Sequence, residues 1–131
     1  MTRVAAIDCG TNSIRLLVAD GHIGEDGRPH LCDLTRQMRI VRLGQGVDAR
    51  GYLDPAAIER TVEATVEYQR MIEALGATST RFVATSATRD ASNSADFVRQ
   101  IKAVIGVEPE VVVGTEEASL SFNGAVSGLG E

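Results

Sequence analysis

Asp8 is the first residue whose type and place ask for a chemical reason. It ends a segment with apolar residues on both alternating faces, Val4 and Ala6 on one and Ala5 and Ile7 on the other. A lone buried charge there would be costly, so the carboxylate needs a partner or a metal. Two readings stay open: it caps the amides of Thr11 or Asn12, or it faces a phosphate and metal site at a sheet edge. The residues that follow, Gly10-Thr11-Asn12-Ser13, offer successive backbone N–H groups and two hydroxyls in a tight turn. Such a turn can cradle an anion. Gly and Asn also tolerate positive φ, which a turn this short can demand.

Three further positions could carry charge chemistry. Arg15 lies just past the turn, on a strand face otherwise formed by Leu17 and Ala19. It could snorkel, pair with Asp8 or bind phosphate. Arg89, in the stretch Thr85 to Asp90, follows a strand at its carboxyl end, where open α/β sheets place ligands. It either grips a phosphoryl group through two N–H donors or pairs on the surface with Asp90 or Asp96. Glu116 and Glu117 precede an apolar helical stripe. Acidic residues there complement the helix dipole, and a carboxylate fixed at such a junction can also orient an attacking water.

Periodicity supplies the elements that must hold these groups. Arg3 to Cys9 reads as a central strand, apolar on both faces. Ser13 to Asp20 reads as a second strand, and so short a link makes the pair an antiparallel hairpin. Gly21 to Pro29 reads as a polar turn, and Leu31 to Val41 as a third, more exposed strand. After a glycine-containing loop from Arg42 to Tyr52, Asp54 caps a long helix with Pro55 in its first turn and Gly76 at its end. Ile58, Val62, Thr65, Gln69 and Ile72 form the expected buried stripe, flanked by Val66 and Leu75. Thr80 to Thr85 is a strand, a turn or short helix starts at Ser86, and Ser94 to Ile105 is a helix with Phe97, Ile101, Val104 and Ile105 on one side. Glu110 to Val113 is a short buried strand, and a last helix carries Ala118, Phe122, Ala125, Val126 and Leu129. The resulting order, β-β-β-α-β-α-β-α, predicts an α/β domain with a mixed five-stranded sheet.

Composition narrows the function classes. With 131 residues, 44% hydrophobic and 24% charged, the chain suits one globular domain and neither a disordered nor a repetitive class. A net charge of −5 argues against a nucleic-acid surface, and 4% aromatics with no Trp argues against a base-stacking platform. No apolar run reaches the ~20 residues of a membrane span, and the amino terminus enters a strand with no secretory cleavage pattern. Cys9 and Cys32 lack metal-ligand spacing and read as two buried thiols of a cytoplasmic protein. His22 and His30 read as solvated loop residues.

Four stretches recur in order: V-A-A-I-D-C-G-T-N-S-I-R-L-L-V (4–18), R-L-G-Q-G-V-D-A-R-G-Y-L (42–53), F-V-A-T-S-A-T-R-D-A-S-N (82–93) and V-V-V-G-T-E-E-A-S-L-S-F-N-G-A (111–125). Together they resemble the amino-terminal domain of the exopolyphosphatase and guanosine pentaphosphate phosphatase (Ppx/GppA) family. The resemblance spans essentially the whole chain. It implies the actin-like, sugar-kinase and Hsp70-type ATPase fold, which is ribonuclease H-like. It also implies roles: Asp8 as a metal-binding carboxylate; Gly10, Thr11, Asn12 and Ser13 as the first phosphate loop, with Thr11 where the family usually has Ser; Arg89 as the arginine near the scissile bond; and Glu117 as the base that activates water. Arg15 is not a fixed feature of the pattern and stays outside this list.

The same resemblance implies Mg²⁺ as cofactor, polyphosphate or pppGpp as substrate, and a homodimer for the full-length parent. The family's second phosphate loop, D-x-G-G-G-S, does not occur in this sequence. The chain therefore reads as a single domain, residues 1–131, the amino-terminal half of a larger phosphatase. Alone it is expected to be inactive, because the cleft would lie between it and the carboxyl-terminal domain. Two other classes remain at this stage: a non-catalytic phosphate-binding module on the same scaffold, and an ATP-dependent kinase or ATPase of the same superfamily.

Overall fold

In the computed structural model the described residues are 2–44, 51–84 and 91–111. They form β1 (Thr2–Cys9), β2 (Ser13–Ile23), β3 (Pro29–Ile40), α1 (Pro55–Leu75), β4 (Ser79–Ala84), α2 (Ser94–Ile105) and β5 (Glu110–Val111). The five strands make one mixed sheet in the order β3-β2-β1-β4-β5. β1–β2 and β2–β3 are antiparallel, whereas β1–β4 and β4–β5 are parallel. The expected mixed five-stranded sheet is present, with β1 at its centre. The turn or helix expected at Ser86 and the last expected helix lie outside the described residues.

The two-sided apolar pattern of β1 becomes two buried faces. On one, Ala5, Ile7 and Cys9 join Ile14, Leu16 and Val18 of β2 and Phe82 and Ala84 of β4. That face packs against α1 and α2 through Ile58, Ala64, Tyr68, Ile72, Phe97, Ile101 and Ile105. The other face holds Val4, Ala6, Leu17, Ala19 and Val83, all buried, and Asp8 belongs to it.

α1 begins as its sequence signals dictate. The Asp54 carboxylate accepts from the Ala56 N–H at 3.1 Å, Pro55 opens the helix, and Gly76 ends it at φ 73°. Leu53 before the cap and Ile58 in the first turns are both buried in the main core, as a hydrophobic staple requires. The buried face is rotated from the expected one. Ala57, Ile58, Thr61, Ala64, Thr65, Tyr68 and Ile72 point inward, while Val62, Val66 and Gln69 are only partly buried. Apolar residues alone mislead here because the helix approaches the sheet through small side chains. The threonines satisfy their hydroxyls locally, Thr61 on Ala57 O and Thr65 on Thr61 O, each at 2.8 Å.

Three other expectations change. The polar turn shortens to residues 24–28, because β2 and β3 extend toward it. His22 and His30 are therefore strand residues, paired across β2 and β3 with rings stacked at 5.4 Å, though exposed to solvent. Cys9 is buried but Cys32 is exposed, since it lies on the terminal strand β3.

Asn93 joins two of the sequence motifs. It precedes α2, yet its side chain makes no capping bond. Instead its Oδ1 accepts from the Leu53 N–H at 2.8 Å and its Nδ2 donates to Leu53 O at 3.0 Å. The neighbouring Ser92 N–H donates to Gly51 O at 2.8 Å. The start of α1 is thus stitched to the start of α2. Asn93→Ala strands two partly buried backbone groups, which costs about 1–3 kcal/mol. Thermal unfolding of the variant should show a clearly lowered Tm, and Asn93→Asp, which retains only the acceptor, should fall between it and the wild type.

Candidate functional site

The β1–β2 connection is a very tight turn. The Gly10 N–H donates to Ser13 O at 2.8 Å, closing the hairpin around Thr11 and Asn12. Neither residue takes a positive φ; among the described non-glycine residues only Arg42 does, at 52°. Positive φ is therefore not why glycine stands at position 10. A Cβ there would lie 3.3 Å from Ser13 O, so the glycine permits the close turn. One expected donor is also lost to the anion site, because the Gly10 amide is consumed inside the turn.

The segment after β3 holds the other side of this turn. Gly44 N–H donates to Thr11 O at 2.8 Å, while Val41 and Arg42 N–H both donate to Asn12 O, at 3.0 and 2.9 Å. The left-handed backbone of Arg42 turns the chain just after these two N–H groups and before Gly44. Val41 and Leu43 anchor this strap by inserting into the main core, and Arg60 of α1 donates from Nε to Val41 O at 3.0 Å. The turn's carbonyls thus point into the strap. Among the described residues no acceptor takes the N–H of Thr11 or Asn12, and both residues are exposed. Ser13 is half-buried. This leaves two adjacent amides and the hydroxyls of Thr11 and Ser13 as donors for an anion.

Asp8 is 7% exposed and lies opposite Arg15 on β2 and beside Val83 on β4. Arg15 itself is exposed rather than drawn into the apolar face. The next residue, Cys9, has its thiol pKa pushed up to about 12, first by burial and then by the Asp8 charge. Among the described residues no group of three or more His, Cys, Asp or Glu side chains could hold a metal. A single carboxylate still suits Mg²⁺, which binds through one or two carboxylates and keeps its other positions for water and phosphate oxygens.

Arg89 and Glu117 lie outside the described residues. The strands that lead to them do not. Cys9 of β1 is in register with Ala84 of β4, and Ala84 is in register with Val111 of β5. The described parts of these three parallel strands therefore reach one edge side by side, at Cys9, Ala84 and Val111. Ligands of α/β sheets bind at the carboxyl ends of parallel strands.

In comparison with known proteins, the Ppx/GppA phosphatase family model matches residues 22–131. The chain belongs to the Ppx/GppA phosphatase family. It is 51% identical to Exopolyphosphatase 2 of Mycobacterium tuberculosis over 99% of its own length and 42% of that protein's. It is 31% identical to a bifunctional 3-dehydroquinate synthase/phosphatase of Fusobacterium nucleatum, over 94% of the chain and 19% of the relative. Among solved structures, an exopolyphosphatase-like protein superposes with a TM-score of 0.80 at 45% identity, over 92% of this chain and 36% of that one. The Aquifex aeolicus Ppx/GppA protein superposes with a TM-score of 0.77 at 34% identity, over 88% and 36%. The chain thus has the actin-like ATPase fold and spans less than half the length of these relatives. Among its described residues no helix is long and apolar enough to cross a membrane.

Sequence reasoning did not find the strap, or Tyr68, whose hydroxyl donates to Ile14 O at 2.9 Å and ties α1 to the strand just after the turn. A Tyr on a helix otherwise lined with Ala and Thr was the available signal. The Cys9 environment gives a direct check. Burial holds the Cys9 thiol neutral, with its pKa pushed up to about 12, and shields it from reagents, whereas Cys32 is exposed. A thiol reagent at pH 8 should modify one cysteine, Cys32, in the native protein and both in denaturant. Peptide mapping that found Cys9 modified as fast as Cys32 would contradict the buried environment.

Proposed function

We propose that the chain is the amino-terminal part of a hydrolase that cleaves terminal phosphoanhydrides of polyphosphate, or of pppGpp. The observation that carries this reading is the register of β1, β4 and β5, which brings Cys9, Ala84 and Val111 side by side at the edge that holds the Thr11 and Asn12 amides. The exopolyphosphatase names of close relatives support the reaction class.

In this proposal the Thr11 and Asn12 amides, with the Thr11 and Ser13 hydroxyls, bind non-bridging phosphate oxygens, and Gly10 shapes the turn. Asp8 is the carboxylate toward Mg²⁺, which when bound supplies positive charge to the phosphate oxygens. Arg89 holds the phosphate chain near the bond that breaks and offsets charge on the transferred phosphoryl group. Glu117 accepts the proton of the water that attacks phosphorus, while the shortened chain leaves with the bridging oxygen. The remainder of the longer relatives' length would provide the opposite wall of the cleft, so this chain alone would turn over substrate negligibly.

The decisive experiment measures phosphate release in the full-length protein. Glu117→Gln should lower kcat by about 10² to 10⁴-fold with KM nearly unchanged, as the loss of a general base requires. Arg89→Ala should change both parameters. Wild-type-like turnover in Glu117→Gln would remove that residue from the chemistry. A second assay uses the 131-residue chain with Mg²⁺, alone and mixed with the separately made remainder. Activity recovered only on mixing supports the two-part cleft, and full activity from the chain alone refutes it.

A further inference from the structure

Gly44 shows no positive φ, so backbone conformation gives no reason for a glycine there. The reason is space. A Cβ built on Gly44 would overlap the Cγ2 methyl of Thr11, while the next nearest atoms, Thr11 Cβ and Thr11 O, would lie at an ordinary 3.4 Å. The obstacle is that one methyl group. The two residues also share a backbone hydrogen bond, Gly44 N–H to Thr11 O at 2.8 Å. We propose that Thr11 and Gly44 form a size-matched lock: the Thr11 methyl fills the volume a Gly44 side chain would take, and this contact sets the direction of the Asn12 amide. Its functional part rests on the phosphate-loop reading above.

The strap is the more rigid partner in this contact. Val41 and Leu43 are buried on either side of Arg42, and Arg60 holds Val41 O, so residues 41–44 cannot retreat without opening the core. The turn, by contrast, is exposed at Thr11 and Asn12. A side chain added at position 44 therefore pushes the turn, not the strap. Displacement of Thr11 O away from the Gly44 N–H rotates the peptide that joins Thr11 to Asn12. The N–H of that same peptide belongs to Asn12, so its direction changes with the carbonyl's. Gly44 is thus a positioning residue that acts through Thr11 and touches no substrate. A serine at position 11 would keep the hydroxyl and free the volume, so the tolerance of position 44 depends on the residue at position 11.

A double-mutant cycle on the 131-residue chain tests this. Gly44→Ala should lower Tm by roughly 5 °C or more, the scale of overpacking in a domain of this size. In the Thr11→Ser background the same substitution should cost less than half as much. Inorganic tripolyphosphate is the ligand probe, read through the amide shifts of residues 11 and 12. Gly44→Ala should weaken its binding about tenfold in the Thr11 background, and only slightly in the Thr11→Ser background. Equal effects of Gly44→Ala in both backgrounds, or none in either, overturn the lock. If Gly44→Ala does not fold, a folded double variant supports the lock and an unfolded one overturns it. Amides 11 and 12 that stay unmoved by tripolyphosphate in the wild-type chain would sink the phosphate-loop reading instead. The Tm cycle would then still decide whether the two side chains share one volume.

Discussion

The direction of two peptide carbonyls governs much of this protein. A turn between antiparallel strands can present oxygens or N–H groups to solvent, and only the latter attract an anion. Here the Thr11 and Asn12 oxygens are both taken by the strap that follows β3, through three N–H donors. The strap can do this because its alternate residues, Val41 and Leu43, are fully embedded in the main core. Arg42 pays for the arrangement with a left-handed backbone, a conformation that costs a non-glycine residue about 1–2 kcal/mol. Strain of this kind survives only where surrounding structure over-determines it, and the two flanking core residues supply that constraint.

The sheet provides the second constraint. β1 carries a parallel partner on one side and an antiparallel partner on the other. The antiparallel partner brings the chain straight back from the turn. The parallel partners β4 and β5 instead deliver distant segments to the same edge. A single exposed turn by itself would be a weak anion site. The register places the turn beside the described parts of two further strands, at the edge where α/β sheets bind ligands.

Asp8 and Cys9 show how neighbouring residues on one strand take opposite fates. Cys9 faces α1 and α2, where burial keeps its thiol neutral. Asp8 faces the other side, at the end of β1, where a charge can be matched by a cation or by the groups of a bound ligand. The period of two along a strand puts these two neighbours on opposite faces of the sheet.

The sequence by itself determined the elements and their order. Asp54, Pro55 and Gly76 mark α1, and Gly106 ends α2, because capping and left-handed backbone are local properties. The two-sided apolar run from Val4 to Ile7 placed β1 at the centre of the sheet for the same local reason. The motifs named Asp8 and the turn from Gly10 to Ser13, and they named Arg89 and Glu117, which lie outside the described residues. Tertiary structure decided what local rules cannot reach. It rotated the buried face of α1 toward Thr61, Ala64 and Tyr68, since close helix-to-sheet packing selects small residues and satisfied hydroxyls over bulk. It exposed Cys32, because the strand order puts β3 at the sheet's edge. It engaged the Gly10 amide inside the turn, on Ser13 O, and set Gly44 against the Thr11 methyl. Those two residues are far apart in the chain, and only the packing of the strap against the turn brings a missing side chain and a methyl group into one volume.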